Sequence, residues 1–175
     1  MVESALPEAC HLTRPVDQRG KRTALRAIMG LTPFMTVANE AGLDAVQLHG
    51  DESPEFCAAL KAQLNGRTVI KALRVGADFE PKDATRYDVD AIMLDAFHGE
   101  LRGGTGSVID WRVARATGEL VPRLFLAGGL SPDNVADAIA CVRPYAVDAC
   151  SSLESSPGHK DVVRMKAFVR AVRSG

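Results

Sequence analysis

Between residue 41 and the C-terminus, short runs dense in apolar residues alternate with longer stretches in which apolar residues recur every three or four positions. The runs are LDAVQLHG, TVIKALRV, AIMLD, RLFLAGG and YAVDACSS, and each has the length of a strand. AIMLD has the composition of a buried one. The stretches between them read as helices. Ser53 is placed as an N-cap with Pro54 at the first helical position, Phe56, Ala59, Leu60 and Leu64 follow at helical spacing, and Asn65 and Gly66 stop the helix. SPDNVADAIACV repeats the Ser-Pro start at Ser131, carries Val135, Ala138, Ile139 and Val142 on one face, and ends before Pro144. A helix from Asp110 to about Thr117 and a closing amphipathic helix in DVVRMKAFVRAV complete the set, with a short helix or loop around Tyr87. Five strand–helix units in succession predict a parallel sheet, because parallel neighbours can only be joined by a crossover.

Two architectures are built this way, the open doubly wound sheet and the closed eight-stranded barrel, and both gather ligand groups beyond the carboxyl ends of their strands. The polar or glycine positions at those ends are His49, Arg74, Asp95, Gly128 with Gly129, and Asp148 with Ser151 and Ser152. Asp95 is followed by a loop containing Gly103, Gly104 and Gly106, an arrangement that suits an acid beside a covering loop. The turns after the last two strands are rich in glycine or serine. Bare backbone N–H groups converge on an anion in such turns, so the pair predicts a phosphate site.

Composition narrows the classes of function. The 175 residues make one domain of ordinary size, 46% hydrophobic and 25% charged, which is the make-up of a globular protein. The net charge is -1 and the basic residues are scattered, which argues against a nucleic-acid partner. MVESALPEAC has no apolar core of signal-peptide length and no run approaches a membrane span, so a cytoplasmic protein with no membrane partner is expected. Cys10, Cys57, Cys141 and Cys150 lack paired C-x-x-C spacing, which leaves neither metal nor cofactor indicated, and Cys57 and Cys141 fall on the apolar faces of their helices.

Taken together, LDAVQLHGDE, MLDA followed by GGTGSVIDW, LAGGLSPDNV and VDACSSLESSPGHKD resemble the successive strand ends of the phosphoribosylanthranilate isomerase family of tryptophan biosynthesis, from about residue 41 to the C-terminus and in order. The resemblance implies a (β/α)8 TIM barrel and a cofactor-independent Amadori rearrangement of N-(5-phosphoribosyl)anthranilate, a small phosphosugar substrate, to its carboxyphenylamino-deoxyribulose phosphate. It implies Asp95 as the general acid, Gly104 and Gly106 in the covering loop, and Gly128, Gly129, Ser151 and Ser152 around the phosphate. The family usually has glycine where this chain has Ser152, which predicts crowding or an extra hydroxyl contact there. His49 and Asp148 match family positions near the substrate, with roles left open.

The chain departs from the family at its front. Residues 1–40 read as a degenerate or poorly ordered segment before a TIM-barrel phosphate-binding part at 41–175, so the fold expected is a partial or truncated barrel with about five clear βα units. The family's catalytic base is a cysteine in a K-x-C-G-L-T segment. ACHLTRPVD offers Cys10 as its counterpart, while AIMGLTP is a rival match that would put Met29 there, and a thioether takes no proton. Arg14, Arg19 and Arg22 are the candidates for an anthranilate-carboxylate partner. Two alternatives stay open: a catalytically impaired phosphate-binding partial barrel, and another phosphosugar barrel enzyme such as indole-glycerol-phosphate synthase, for which Lys71 is the candidate acid. A barrel short of strands is also expected to self-associate through open sheet edges, around Ala45–Leu48 and Tyr145–Ala149.

Overall fold

The computed structural model describes residues 38–40, 42–96 and 109–175. The sites Cys10, Gly104 and Gly106, the rival Met29, and the reading of residues 1–40 as degenerate lie outside these residues, save for 38–40. The described residues form two compact units, one holding those up to Ala72 together with Arg86–Ala91, the other Leu73–Thr85 and those from Ile92 to Gly175.

The described elements run β1 (Ala45–Leu48), α1 (Pro54–Gln63), β2 (Thr68–Val75), a 3-10 helix (Pro81–Arg86), β3 (Ala91–Ala96), α2 (Trp111–Gly118), β4 (Leu124–Leu126), α3 (Val135–Val142), β5 (Ala146–Val147), a 3-10 turn (Ser151–Leu153), β6 (Glu154–Ser156), β7 (His159–Lys160) and α4 (Val162–Ser174). The five strands β1 to β5 form a sheet in sequential order, with β1 parallel to β2, β3 to β4 and β4 to β5. Sequential order without a reversal belongs to a barrel wall, whereas a doubly wound sheet reverses at its switch point. The fold is a partial (β/α)8 barrel. Ala91 to Leu94 of β3 are buried without a break, as in a strand covered on both faces.

In the first unit, α1 starts and stops as its sequence predicts. Ser53 Oγ accepts the Phe56 N–H at 3.2 Å, Pro54 opens the helix, and Asn65 and Gly66 leave it at φ of 48° and 83°. Its packed face is Cys57, Leu60 and Leu64, all buried as expected, whereas Phe56 is half-buried and Ala59 exposed, so those two fall outside the face predicted for them.

In the second unit several expectations are corrected. Ser131 does not start α3. It closes a turn in which the Asp133 N–H donates to its Oγ and its own N–H donates to Asn134 Oδ1, and the helix begins at Val135. Pro132 fits that turn, so the Ser-Pro signal was spent on a turn and not on a helix. The C-terminus of α3 is set by Arg143 at φ 54°, ahead of Pro144. The fifth strand is only Ala146–Val147, because the chain turns at Ser151 into a hairpin, β6–β7, that the sequence did not announce. Cys141 is half-buried, and of α4 only Phe168 is buried, with Val162, Val163, Met165 and Val169 exposed.

Candidate functional site

The second unit holds Asp95 and the turns after β4 and β5. Asp95 is half-buried next to the last residue of β3, Ala96. The chain leaving β4 passes so close to that strand end that a Cβ on Gly128 would stand 2.4 Å from Ala96 N and 2.7 Å from Ala96 Cβ. Gly128 and Gly129 also hold φ of 83° and 69°. Only glycine satisfies both demands at 128, which is the local reason for the LAGG sequence.

This turn is held from two sides. Asn134 Nδ2 donates to the Gly129 carbonyl at 3.0 Å, while Asn134 Oδ1 accepts the Ser131 N–H at 2.8 Å. Ser152 Oγ, in the turn after β5, donates to the Leu130 carbonyl at 2.5 Å. That bond ties the two candidate phosphate turns to each other. It also settles where the Ser152 hydroxyl goes: it bridges the turns in the place where crowding or an extra ligand contact was expected. The backbones of the two strands meet just before, with the Asp148 N–H donating to the Leu126 carbonyl at 2.8 Å. Asp148 and Ser151 are exposed. Beyond them, Lys160 Nζ donates to the Cys150 carbonyl at 2.9 Å and pairs with Glu154 at 2.7 Å, fixing the hairpin under the second turn. The lysine beside Glu154 holds its carboxyl below the ordinary carboxylate value.

The first unit places His49 at the end of β1, half-buried, with Gln47 Nε2 3.4 Å from its Nδ1. The next residues form a charged knot that sequence reasoning missed. Lys71 is 2% exposed, and its Nζ donates to the Gly50 carbonyl at 2.7 Å and to Glu52 Oε2 at 2.8 Å. The Glu52 carboxylate in turn accepts the Gly50 N–H at 3.0 and 3.2 Å. The Tyr87 ring lies 5.8 Å from the ammonium. Burial pushes the nearby Cys57 thiol up to about 11, which keeps it an inert core residue. A lysine in the middle of the apolar run TVIKALRV was the available signal, since a charge inside a covered strand requires a partner.

Asp95 thus stands at the end of β3, and the turns after β4 and β5 are joined by the bond from Ser152 to Leu130. A family model described as N-(5'phosphoribosyl)anthranilate (PRA) isomerase matches residues 34–171. The chain belongs to the phosphoribosylanthranilate isomerase family. An N-(5'-phosphoribosyl)anthranilate isomerase of Pelobacter propionicus is 46% identical over 136 residues, which cover 78% of this chain and 62% of that one. This chain thus spans less than two thirds of that family member's length. The solved isomerase from Thermotoga maritima matches with a TM-score of 0.71 at 32% identity, over 87% of this chain and 72% of that one. Another solved member of the family, in complex with reduced 1-(o-carboxyphenylamino)-1-deoxyribulose 5-phosphate, matches with a TM-score of 0.66 at 31% identity, over 87% of this chain and 70% of that one.

Proposed function

We propose that this chain isomerises N-(5'-phosphoribosyl)anthranilate to 1-(2-carboxyphenylamino)-1-deoxyribulose 5-phosphate, in the cytoplasm and in tryptophan biosynthesis. The observation that carries the reading is the pair of turns tied by Ser152 and Leu130, pressed at Gly128 against the strand end that bears Asp95. The solved family member holding a reduced product analogue supports the substrate class. Among the described residues no helix is long and apolar enough to cross a membrane.

In this reading the phosphate is held by main-chain donors of Gly128, Gly129, Ser151 and Ser152. Asp95 gives its proton to the ribose ring oxygen as the bond from that oxygen to C1 breaks, and the anthranilate nitrogen lone pair closes a C=N bond. A base then takes the C2 proton, the C–H electrons become a C1=C2 bond, and the enolamine tautomerises to the ketone as C1 gains a proton. Cys10 is the base by its resemblance to the family segment. Gly104 and Gly106 shape the covering loop, and His49 and Asp148 contact the substrate.

Asp95→Asn tests the acid. Turnover, followed as loss of substrate fluorescence, is expected to fall by ~100 to 10,000-fold with affinity for the reduced product analogue within a few fold, since the amide keeps the shape and lacks the acidic proton. Full activity removes Asp95 from the mechanism. A wild-type chain that binds the analogue and never turns over points instead to the impaired phosphate-binding barrel. Light scattering on the same sample checks self-association through β1 and β5, the outer strands of the described sheet. A monomer at every concentration rejects it.

A further inference from the structure

The knot at the end of β1 has a closed shape. The Glu52 carboxylate receives the Gly50 N–H and the Lys71 ammonium donates to the Gly50 carbonyl, and the two charges meet each other at 2.8 Å. The Gly50 N–H belongs to the peptide that joins it to His49, and the Gly50 carbonyl to the peptide that joins it to Asp51. Both planes on which these neighbours are mounted are thereby fixed, because a peptide unit is rigid and only the torsions at its ends are soft. The pair is buried, with side-chain exposures of 2% for Lys71 and 10% for Glu52, so water competes little for either charge. Gly50 is the residue that lets the carboxylate approach, since a Cβ there would stand 2.9 Å from Glu52 Oε1. A fold that needed only to fill this space would use apolar side chains, because a buried ion pair adds little net stability over a well-packed apolar pair. The arrangement makes sense as a device for orientation.

We propose that Lys71 and Glu52 are positioning residues for His49, clamping the two peptides of Gly50 so that the histidine is held for contact with the phosphosugar ligand; this rests on the function proposed above. Lys71 is committed to Glu52 and the Gly50 carbonyl, and acts through them and not as an acid on substrate.

The test compares residues 1–175 with the double variant Lys71→Met/Glu52→Leu, which removes both buried charges together and so preserves the fold better than either single change. Amide hydrogen exchange is read at Gly50, and calorimetry gives the affinity for reduced 1-(o-carboxyphenylamino)-1-deoxyribulose 5-phosphate and for inorganic phosphate. The Gly50 amide is expected to exchange at least ~10-fold faster in the variant, with amides of α1 unchanged. The analogue is expected to bind on the order of tenfold more weakly, with inorganic phosphate within about twofold, because misorienting one contact leaves the phosphate turns intact. Unchanged Gly50 exchange, or equal losses for analogue and phosphate, overturns the positioning role. If the wild type binds phosphate and not the analogue, the proposed substrate is wrong, and the Gly50 exchange then decides alone whether the clamp exists. If the double variant does not fold, Lys71→Arg is read in its place. It keeps the charge and changes the reach, and the clamp predicts faster Gly50 exchange there too, an unchanged rate rejecting it.

Discussion

The turn after β1 and the turn after β4 solve the same problem, pinning the chain where it leaves a strand, with opposite chemistry. The β1 turn is pinned by two buried charges, Lys71 and Glu52, that grip the peptides of one glycine. The β4 turn carries no charge of its own from Ala127 to Ser131 and is pinned by neutral groups, the Asn134 amide and the Ser152 hydroxyl, together with the close approach of Gly128 to Ala96. The difference fits what each turn is proposed to face. A buried carboxylate next to a phosphate would repel it, whereas backbone dipoles and neutral donors accept it.

The comparison breaks most visibly at Lys71. Lys71→Met leaves the Glu52 carboxylate buried without its counter-charge, which is expected to lower the stability of the fold by ~3–5 kcal/mol. Urea unfolding measures it. A loss well under 1 kcal/mol would mean that water reaches Glu52, and that the first turn is not held by a dry ion pair.

Gly128 and Gly66 sharpen the second half of the comparison, because they share a φ of 83° and differ in what surrounds them. Nothing lies within 4 Å of a Cβ at Gly66, while the backbone of Ala96 stands in its place at Gly128. Gly66→Ala carries the backbone strain alone, ~1–2 kcal/mol. Gly128→Ala adds a backbone clash that no rotamer relieves, for a further ~1–3 kcal/mol, and is expected to weaken phosphate binding as well. Equal unfolding free energies for the two variants would show that the end of β4 has room, and that its tie to the Asp95 strand is loose.

What the sequence showed and what it hid divide along the same lines. Strand ends were legible because periodicity and turn residues are local: β1 and the start of α1 fall where LDAVQLHG and Ser53-Pro54 place them. Glycine at 128 and 129 was legible as a turn for the same reason. The Ser-Pro signal at Ser131 misled because a turn and a helix start use the same residues, and only Asn134, three positions on, decides between them. The partners of Lys71 were invisible, since Glu52 is 19 residues away and meets it only across the β1–β2 pairing of Leu48 with Lys71. The role of Ser152 was half visible. Its departure from glycine marked the position, but its acceptor, Leu130, is 22 residues away in the neighbouring turn.

That bond is the smallest and most specific point on which the neutral turn can be tested. The Leu130 residue is 2% exposed, so removing the hydroxyl with Ser152→Ala leaves its carbonyl without the Ser152 donor in a place water does not readily reach. The expected loss is ~1 kcal/mol of unfolding free energy, less than at Lys71 because a neutral hydrogen bond and not a charge is broken. The readout that separates a tether from mere packing is the pair of turns themselves. On adding inorganic phosphate to the wild type, amide NMR signals of Gly128, Gly129, Ser151 and Ser152 are expected to shift as a group, since the turns are joined. In Ser152→Ala the same titration is expected to reach saturation at higher phosphate, with the Gly128–Gly129 signals and the Ser151 signal broadened relative to wild type. If the variant titrates as the wild type does, the serine fills space that a glycine would leave, and the two turns are held together by the Asp148–Leu126 backbone bond without its help.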